Sequence, residues 1–106
     1  MAAAPKCPVH RAVDIIGGKW TLLILHQLCV TPHGFNELLR GIEGINPRAL
    51  SLRLKDLAEH GLILKDVQAS PVRVEYALTK EGAKLKGIID QHGTWADTRP
   101  AKKTPA

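Results

Sequence analysis

The sequence is poor in aromatic residues and in cysteine. Only 4% of its 106 residues are aromatic, namely Trp20, Phe35, Tyr76 and Trp95. The core must therefore be built from Leu, Ile, Val and Ala, and an RNA-binding surface with exposed stacking rings is not expected. The two cysteines, Cys7 and Cys29, are expected to be reduced thiols in a cytoplasmic protein.

Long hydrophobic runs and a secretory signal are also missing. The longest apolar run, Leu22–Leu25, is far shorter than the ~20 residues that span a bilayer as a helix. Residues 1–6 lack the basic and then apolar order of a signal peptide. We therefore expect a cytoplasmic protein with no membrane partner.

Motifs of enzymes and metal sites are equally scarce. The chain has no glycine-rich phosphate loop, no nucleophile elbow and no evident pair of catalytic carboxylates. Its five histidines are scattered over positions 10, 26, 33, 60 and 92, without the spacing of metal ligands. We expect no enzymatic activity, no cofactor and no metal.

Positive charge is in excess. Fifteen Lys and Arg face ten Asp and Glu, which gives a net charge of +5. Such a balance favours a polyanionic partner, either nucleic acid or an anionic membrane surface. It is also typical of a soluble protein with a basic tail, since Arg99, Lys102 and Lys103 lie in the last eight residues.

The length predicts a single domain, with a flexible arm at 1–6, a folded region at 7–95 and a disordered basic tail at 96–106. Pro8 begins a first helix, which Gly17-Gly18 ends. A second helix is predicted from Lys19 to Cys29, apolar almost all round and hence central. A short helix follows over Phe35–Arg40.

The strongest boundary signals surround a fourth helix. Asn46 is a suitable N-cap, Pro47 a suitable first residue, and Gly61 a suitable end after His60. Residues 62–69 and 72–78 are predicted as two strands around Ser70-Pro71, with clear alternation in the second, and Thr79 caps a last helix. This order predicts a mainly α fold with a small β-hairpin, a winged helix-turn-helix with flanking dimerisation helices.

The fourth helix has two different faces. At 100° per residue, Leu50, Leu54 and Leu57 form the buried one. The outward face suits insertion into the major groove of double-stranded DNA, where Arg48 can donate twice to guanine and lysines can neutralise phosphates. The alternative is an ordinary solvated charged face, and the surrounding architecture favours DNA.

The hairpin supplies a second basic element. Arg73 follows the predicted tip and suits a minor groove; taken alone it is more often an exposed strand residue, and the basic fourth helix nearby is what favours DNA. The predicted DNA-binding residues are Pro47, Arg48, Ser51, Leu52, Arg53, Lys55 and Arg73. Lys19, His33 and Arg40 are candidates for phosphate contacts.

Uncovered apolar stripes predict a homodimer. A chain of this length can hardly cover the apolar stripe of its last helix, and the first helix carries another. The predicted interface residues are Val9, Val13, Leu85, Ile88, Ile89 and Trp95.

Several spaced motifs resemble HxlR-type regulators over residues 7–95. They are Cys7-Pro8-Val9, Ile16–Leu25, Phe35–Leu38, Leu50–Leu57, Gly61–Ile63, Val74–Thr79 and Gly82. The resemblance implies a MarR-related winged-helix dimer that binds inverted repeats near promoters. It implies that the first and last helices form the dimer interface and that the Pro47–His60 helix contacts bases. The expected function is a repressor.

Two positions depart from the family pattern. Gly34 stands where a basic residue is common in the family. The phosphate contact expected at this position is therefore either lost or made by His33. Leu52 replaces a polar residue, and it either touches a thymine methyl or relaxes specificity.

Cys7 has two open interpretations. Some family members sense electrophiles or oxidants through a cysteine at the matching position, and a helix N-terminus stabilises a thiolate. An oxidant or small-molecule effector is therefore a candidate partner. Cys7 could equally be a semi-buried interface residue, whereas Cys29 is expected in the core.

The main competing function is a winged-helix module that contacts another protein and lacks specific DNA binding. A protein-docking face would be more apolar than the basic and polar outer face of the Pro47–His60 helix. That difference favours DNA.

Overall fold

A computed structural model describes residues 7–69 and 72–99 of the chain. The elements are α1 (Pro8–Ile16), α2 (Thr21–Val30), α3 (Phe35–Gly41), α4 (Pro47–Glu59), β1 (Ile63–Ala69), β2 (Val72–Leu78), α5 (Lys80–Ala83) and α6 (Lys86–Asp97). This order confirms the predicted winged helix-turn-helix. The predicted arm at 1–6, the hairpin tip Ser70-Pro71 and residues 100–106 of the predicted tail lie outside the described residues.

The predicted boundaries of α4 are confirmed by its caps. The side chain of Asn46 accepts a hydrogen bond from the backbone N–H of Ala49 at 2.8 Å, and Pro47 takes the first helical position. Gly61 follows the helix with a φ of 73°, a left-handed conformation that glycine adopts without strain. These signals fix both the start of α4 and the direction in which the chain leaves it.

The start of α2 differs from the prediction. The helix begins at Thr21 rather than Lys19, because Trp20 takes a left-handed φ of 78° at the N-cap. The half-buried ring of Trp20 lies under the ammonium group of Lys19, whose Nζ is 4.7 Å from the ring centre. The turn between α1 and α2 is therefore held by an aromatic residue as well as by glycines.

The core lies where α2, α3 and α4 meet. Its buried members are Ile24, Leu25, Leu28, Leu38, Ile42, Ile45, Leu50, Leu54, Leu57, Leu62, Ile63 and Ile89. The prediction that α2 is central is confirmed, but the helix is not buried all round. Leu23 is 51% exposed and Val30 is 76% exposed, so α2 keeps an apolar edge at the surface.

The two strands form an antiparallel hairpin in which Ile63 faces Leu78, and Lys65 faces Tyr76. A short third segment joins them. The N–H of His33 donates to the carbonyl of Tyr76 at 3.0 Å, and the N–H of Tyr76 donates back at 2.7 Å. The hairpin, called the wing below, is thus attached to the turn that precedes α3.

The predicted last helix is interrupted. Thr79 caps α5 as expected by accepting from the N–H of Gly82 at 3.1 Å. The N–H groups of Lys84 and Leu85 then bond to carbonyls only three residues back, which tightens the chain before α6 begins. α6 also continues to Asp97, so Ala96 and Asp97 belong to a helix and not to the predicted tail.

Within the described residues, no single helix is long and apolar enough to cross a membrane. α1 and α2 meet that requirement only as a pair, bent by 77°.

Candidate nucleic-acid interface

One face of α4, from Arg48 in its first turn to Lys55 just beyond its middle, is polar and basic and is exposed to solvent. Leu50, Leu54 and Leu57 are buried, and Arg48, Ser51 and Lys55 are exposed. Pro47 is exposed at the first turn, and Leu52 is 51% exposed beside the basic residues. The structure therefore brings five of the seven predicted DNA-binding residues onto one free surface.

Arg53 occupies a different position. Its side chain is half-buried and lies across the turn between α1 and α2. A Cβ atom built on Gly18 would come within 2.8 Å of the Arg53 Nη1, so the guanidinium rests against the Gly18 backbone. Arg53 therefore connects α4 to the turn between α1 and α2 and does not project with Arg48.

A groove separates α4 from the base of the wing. It has a volume of about 260 Å³ and is lined by Ser51, Leu54, Lys55, Ala58, Lys65 and Tyr76. We call it the α4–wing groove. Lys65 was absent from the predicted site. Lys65 shares a side of the hairpin with Ile63, but the sequence alone does not show that this side lies next to α4.

Arg73 is less free than predicted. Its Nη2 lies 3.6 Å from Glu75 Oε2 and 4.0 Å from Glu37 Oε1. Glu37 also accepts the backbone N–H of Gly34 at 3.1 Å, at the start of α3. The guanidinium of Arg73 is therefore drawn toward α3, although the Arg73 side chain stays largely exposed.

The three candidate phosphate residues lie in different settings. Arg40 is exposed in the last turn of α3. The Nδ1 of His33 lies 2.6 Å from the Thr31 carbonyl oxygen, to which it donates in the corresponding tautomer. Lys19 covers the Trp20 ring. All three stay predictions as phosphate contacts.

The predicted dimer residues divide into two groups. Val9 and Val13 on α1 and Ile88 and Trp95 on α6 are exposed, with Val9 at 72% and Trp95 at 64%. Ile89 is only 8% exposed and belongs to the core of its own chain, and Leu85 packs partly against that core. Assigning Ile89 to the interface was therefore wrong, because α6 uses this position to contact the protomer itself.

The two cysteines are unlike each other. Cys7 is exposed at the N-cap of α1, where its Sγ accepts the N–H of His10 at 3.4 Å. Cys29 is half-buried on α2. Burial raises the pKa of the Cys29 thiol, while Lys86 lowers this pKa and Asp90 raises it to smaller extents. Cys29 is accordingly the poorer nucleophile at neutral pH.

Within residues 7–69 and 72–99, no group of three or more His, Cys, Asp or Glu side chains is arranged to hold a metal ion. The surfaces that stand out are the basic face of α4, the α4–wing groove and the apolar sides of α1 and α6.

A family model described as HxlR-like helix-turn-helix matches residues 15–103, which include all of α2 through α6. The chain belongs to this family. The HxlR-like chain is 37% identical over 98 residues to the HTH-type transcriptional regulator YvaP of Bacillus subtilis, and the match covers 91% of each chain. It is 36% identical over 84 residues to the regulator sll1512 of Synechocystis. That match covers 78% of this chain and 62% of its longer relative.

Solved structures show the same fold. A MarR-family regulator from Porphyromonas gingivalis superimposes with a TM-score of 0.84 at 38% identity, covering 94% of this chain and 99% of that one. The redox regulator HypR in its oxidized form gives 0.84 at 33% identity, covering 91% and 100%. The HxlR-like chain therefore has relatives that are transcriptional regulators, and one similar structure is of a redox-responsive regulator.

Proposed function

We propose that this protein is a transcriptional repressor that binds an inverted-repeat operator in double-stranded DNA as a homodimer. The observation that carries this proposal is the outer face of α4. Arg48 and Ser51 in the first half of α4, and Lys55 just beyond its middle, are exposed, and the opposite face of the helix is buried. A major groove about 12 Å wide accepts one such helix, led by its N-terminal residues.

The homodimer explains why so much apolar surface is exposed. No residue of α1 is buried, although Val9 and Val13 are large and apolar. On α6, Ile88, Gln91, His92 and Trp95 line an open groove of about 430 Å³. A symmetric dimer that pairs α1 and α6 across its axis covers both surfaces and places two α4 helices for two half-sites.

We also propose that oxidation or alkylation of Cys7 weakens operator binding. Cys7 caps the helix that we place in the dimer interface, and its thiol is reachable from solvent. Diamide oxidises two thiols to one disulfide and is itself reduced to a hydrazine, so Cys7 pairs with the other protomer's Cys7 or with a small thiol. Either disulfide, or an alkyl group on the sulfur, alters how α1 begins. Two half-sites are spaced by about 34 Å, so a small rotation between protomers misplaces both α4 helices.

The direct test is a gel shift of the purified protein with the DNA upstream of its own gene, before and after treatment with diamide. The expected result is a specific complex that is lost on oxidation. If the protein shows no preference for any duplex over unrelated DNA, the DNA-binding proposal fails. The winged-helix module that contacts a protein is then the better description.

A further inference from the structure

We infer that the α4–wing groove receives a phosphate of the DNA backbone in each half-site, held by Lys55 from one side and by Lys65 from the other. The inference rests on the DNA-binding function proposed above. It assigns a role to Lys65, which lies on β1 of the wing and not on α4.

The first step of the argument is geometric. The major and minor grooves of a duplex are neighbours separated by one sugar–phosphate strand. If α4 enters the major groove and the wing approaches the adjacent minor groove, the strand between them passes over whatever separates the two elements. In this protein, that is the α4–wing groove.

The second step is the chemistry of the groove lining. Lys55 lies on the α4 wall and Lys65 on the β1 wall, and both side chains are exposed. Ser51 adds a hydroxyl donor on the α4 side. The lining contains no carboxylate, so two lysines and a serine hydroxyl border an open space, which suits a phosphate.

The position of Lys65 on β1 also determines the side of the hairpin on which its side chain lies. Lys65 pairs across the hairpin with Tyr76 and shares the side of the sheet on which Ile63 is buried. Tyr76 is half-buried and is itself anchored by two backbone hydrogen bonds to His33. Lys65 therefore stands on a fixed strand and points to the same side as the core, toward α4.

The other cationic residue of the wing is in a less favourable setting. Arg73 lies within 4.0 Å of two carboxylates, from Glu37 and Glu75. The groove on the outer side of α4 likewise includes the acidic residues Asp56 and Glu59. Lys55 borders both grooves, but only the α4–wing groove adds a second lysine and has no carboxylate in its own lining.

The test measures how DNA affinity depends on salt. The probe is a 30-base-pair duplex enriched from a random library by the wild-type protein. Each phosphate contact contributes about 0.9 to the slope of log affinity against log salt. Because the homodimer carries one Lys65 in each half-site, Lys65→Gln should lower the slope by about 1.8, equivalent to roughly 12-fold less loss of affinity between 50 and 200 mM salt.

Two variants serve as controls. Lys65→Arg keeps the charge and should keep the wild-type slope. Lys80→Gln removes the same charge from an exposed position on α5 and should leave the slope unchanged. Thermal unfolding followed by circular dichroism checks that each variant folds like the wild type.

Phosphate ethylation interference locates the contact. With wild-type protein, ethylation should block binding at a phosphate between the major-groove and minor-groove contacts of each half-site. With Lys65→Gln, ethylation of that phosphate should interfere clearly less, because only the α4 side of the groove then holds it. An unchanged interference pattern, or a slope equal to that of Lys80→Gln, overturns the inference.

The two levels of failure are distinguishable. If the wild type enriches no duplex, the DNA-binding function fails and this inference falls with it. If the wild type binds and Arg48→Ala weakens binding, but Lys65→Gln keeps the wild-type slope, only the assignment of the α4–wing groove is wrong.

Discussion

The guanidinium of Arg73 lies 3.6 Å from the carboxylate of Glu75, two residues further along the same face of β2. Glu37 of α3 approaches the same nitrogen at 4.0 Å. A DNA phosphate near the wing must therefore compete with two carboxylates for Arg73. The acidic residues around the wing, as much as its basic residues, should set how tightly the protein holds DNA.

Glu37→Gln should tighten DNA binding by up to about fivefold, the range expected when one exposed charge interaction is removed. Glutamine keeps the side-chain oxygen that accepts the Gly34 N–H, so α3 should keep its cap. The measurement is a titration of labelled duplex at 100 mM salt. Glu81→Gln on α5 is the control for net charge, and equal effects of the two changes would contradict the prediction.

Arg48→Ala should weaken operator binding by about 1–3 kcal/mol and relax the preference at one base pair of each half-site. Arg48 is exposed at the start of α4, where a paired contact to guanine is available. Competition with duplexes that carry single base-pair changes measures both effects. Arg73→Ala should weaken all these duplexes evenly, and unchanged binding in both variants would favour the protein-contact alternative.

Trp95→Ser should shift the protein from dimer to monomer without unfolding it, because Trp95 is 64% exposed in the single chain. Sedimentation velocity at micromolar concentration reports the change. Ile89→Ala should instead lower the free energy of unfolding by about 2–5 kcal/mol, because this side chain is buried within the protomer. A wild-type protein that sediments as a monomer would remove the basis of this prediction.

Diamide should weaken operator binding by the wild type and by Cys29→Ser, but not by Cys7→Ser. Cys7 is exposed, while burial raises the pKa of Cys29 and lowers its thiolate fraction at neutral pH. Mass spectrometry after brief iodoacetamide treatment should find Cys7 alkylated first. An equal loss of binding in Cys7→Ser would leave Cys7 a structural residue.

Gly82→Ala should destabilise the fold by about 1–3 kcal/mol through overpacking. A Cβ at this position would overlap the carbonyl oxygen of Leu62, which is backbone and cannot move aside easily. Gly93→Ala is the matched control on α6, where an added Cβ would have no neighbouring atom of the described residues within 4 Å. It should be neutral or stabilising by up to about 1 kcal/mol, and urea unfolding of both variants gives the comparison.

The boundaries that sequence reasoning predicted well are those with local chemical causes. Asn46 and Pro47 fix the start of α4, Gly61 follows its end, and Thr79 caps α5. Each signal acts within a few residues of itself, so it is visible without knowledge of the tertiary structure. The buried face of α4 followed from helical periodicity in the same way.

The parts that were missed depend on contacts between distant segments. Ile89 and Ile88 are adjacent apolar residues, and only the packing of α6 on α2 decides which of them is buried. The break before α6 accompanies the close approach of Gly82 to Leu62. Lys65 belongs to the candidate interface only because β1 lies beside α4. Neither periodicity nor propensity contains this information.

The two hydrogen bonds between His33 and Tyr76 have a mechanical consequence. They join β2 of the wing to the segment leading into α3. Just beyond α4, the Thr79 hydroxyl donates to the carbonyl of Gly61 at 2.5 Å. These hydrogen bonds join α3, α4 and the wing into one structural unit. In the proposed homodimer, an operator with a different half-site spacing would therefore have to be matched by rotation between the two protomers, and an effector would act on the same contact between protomers.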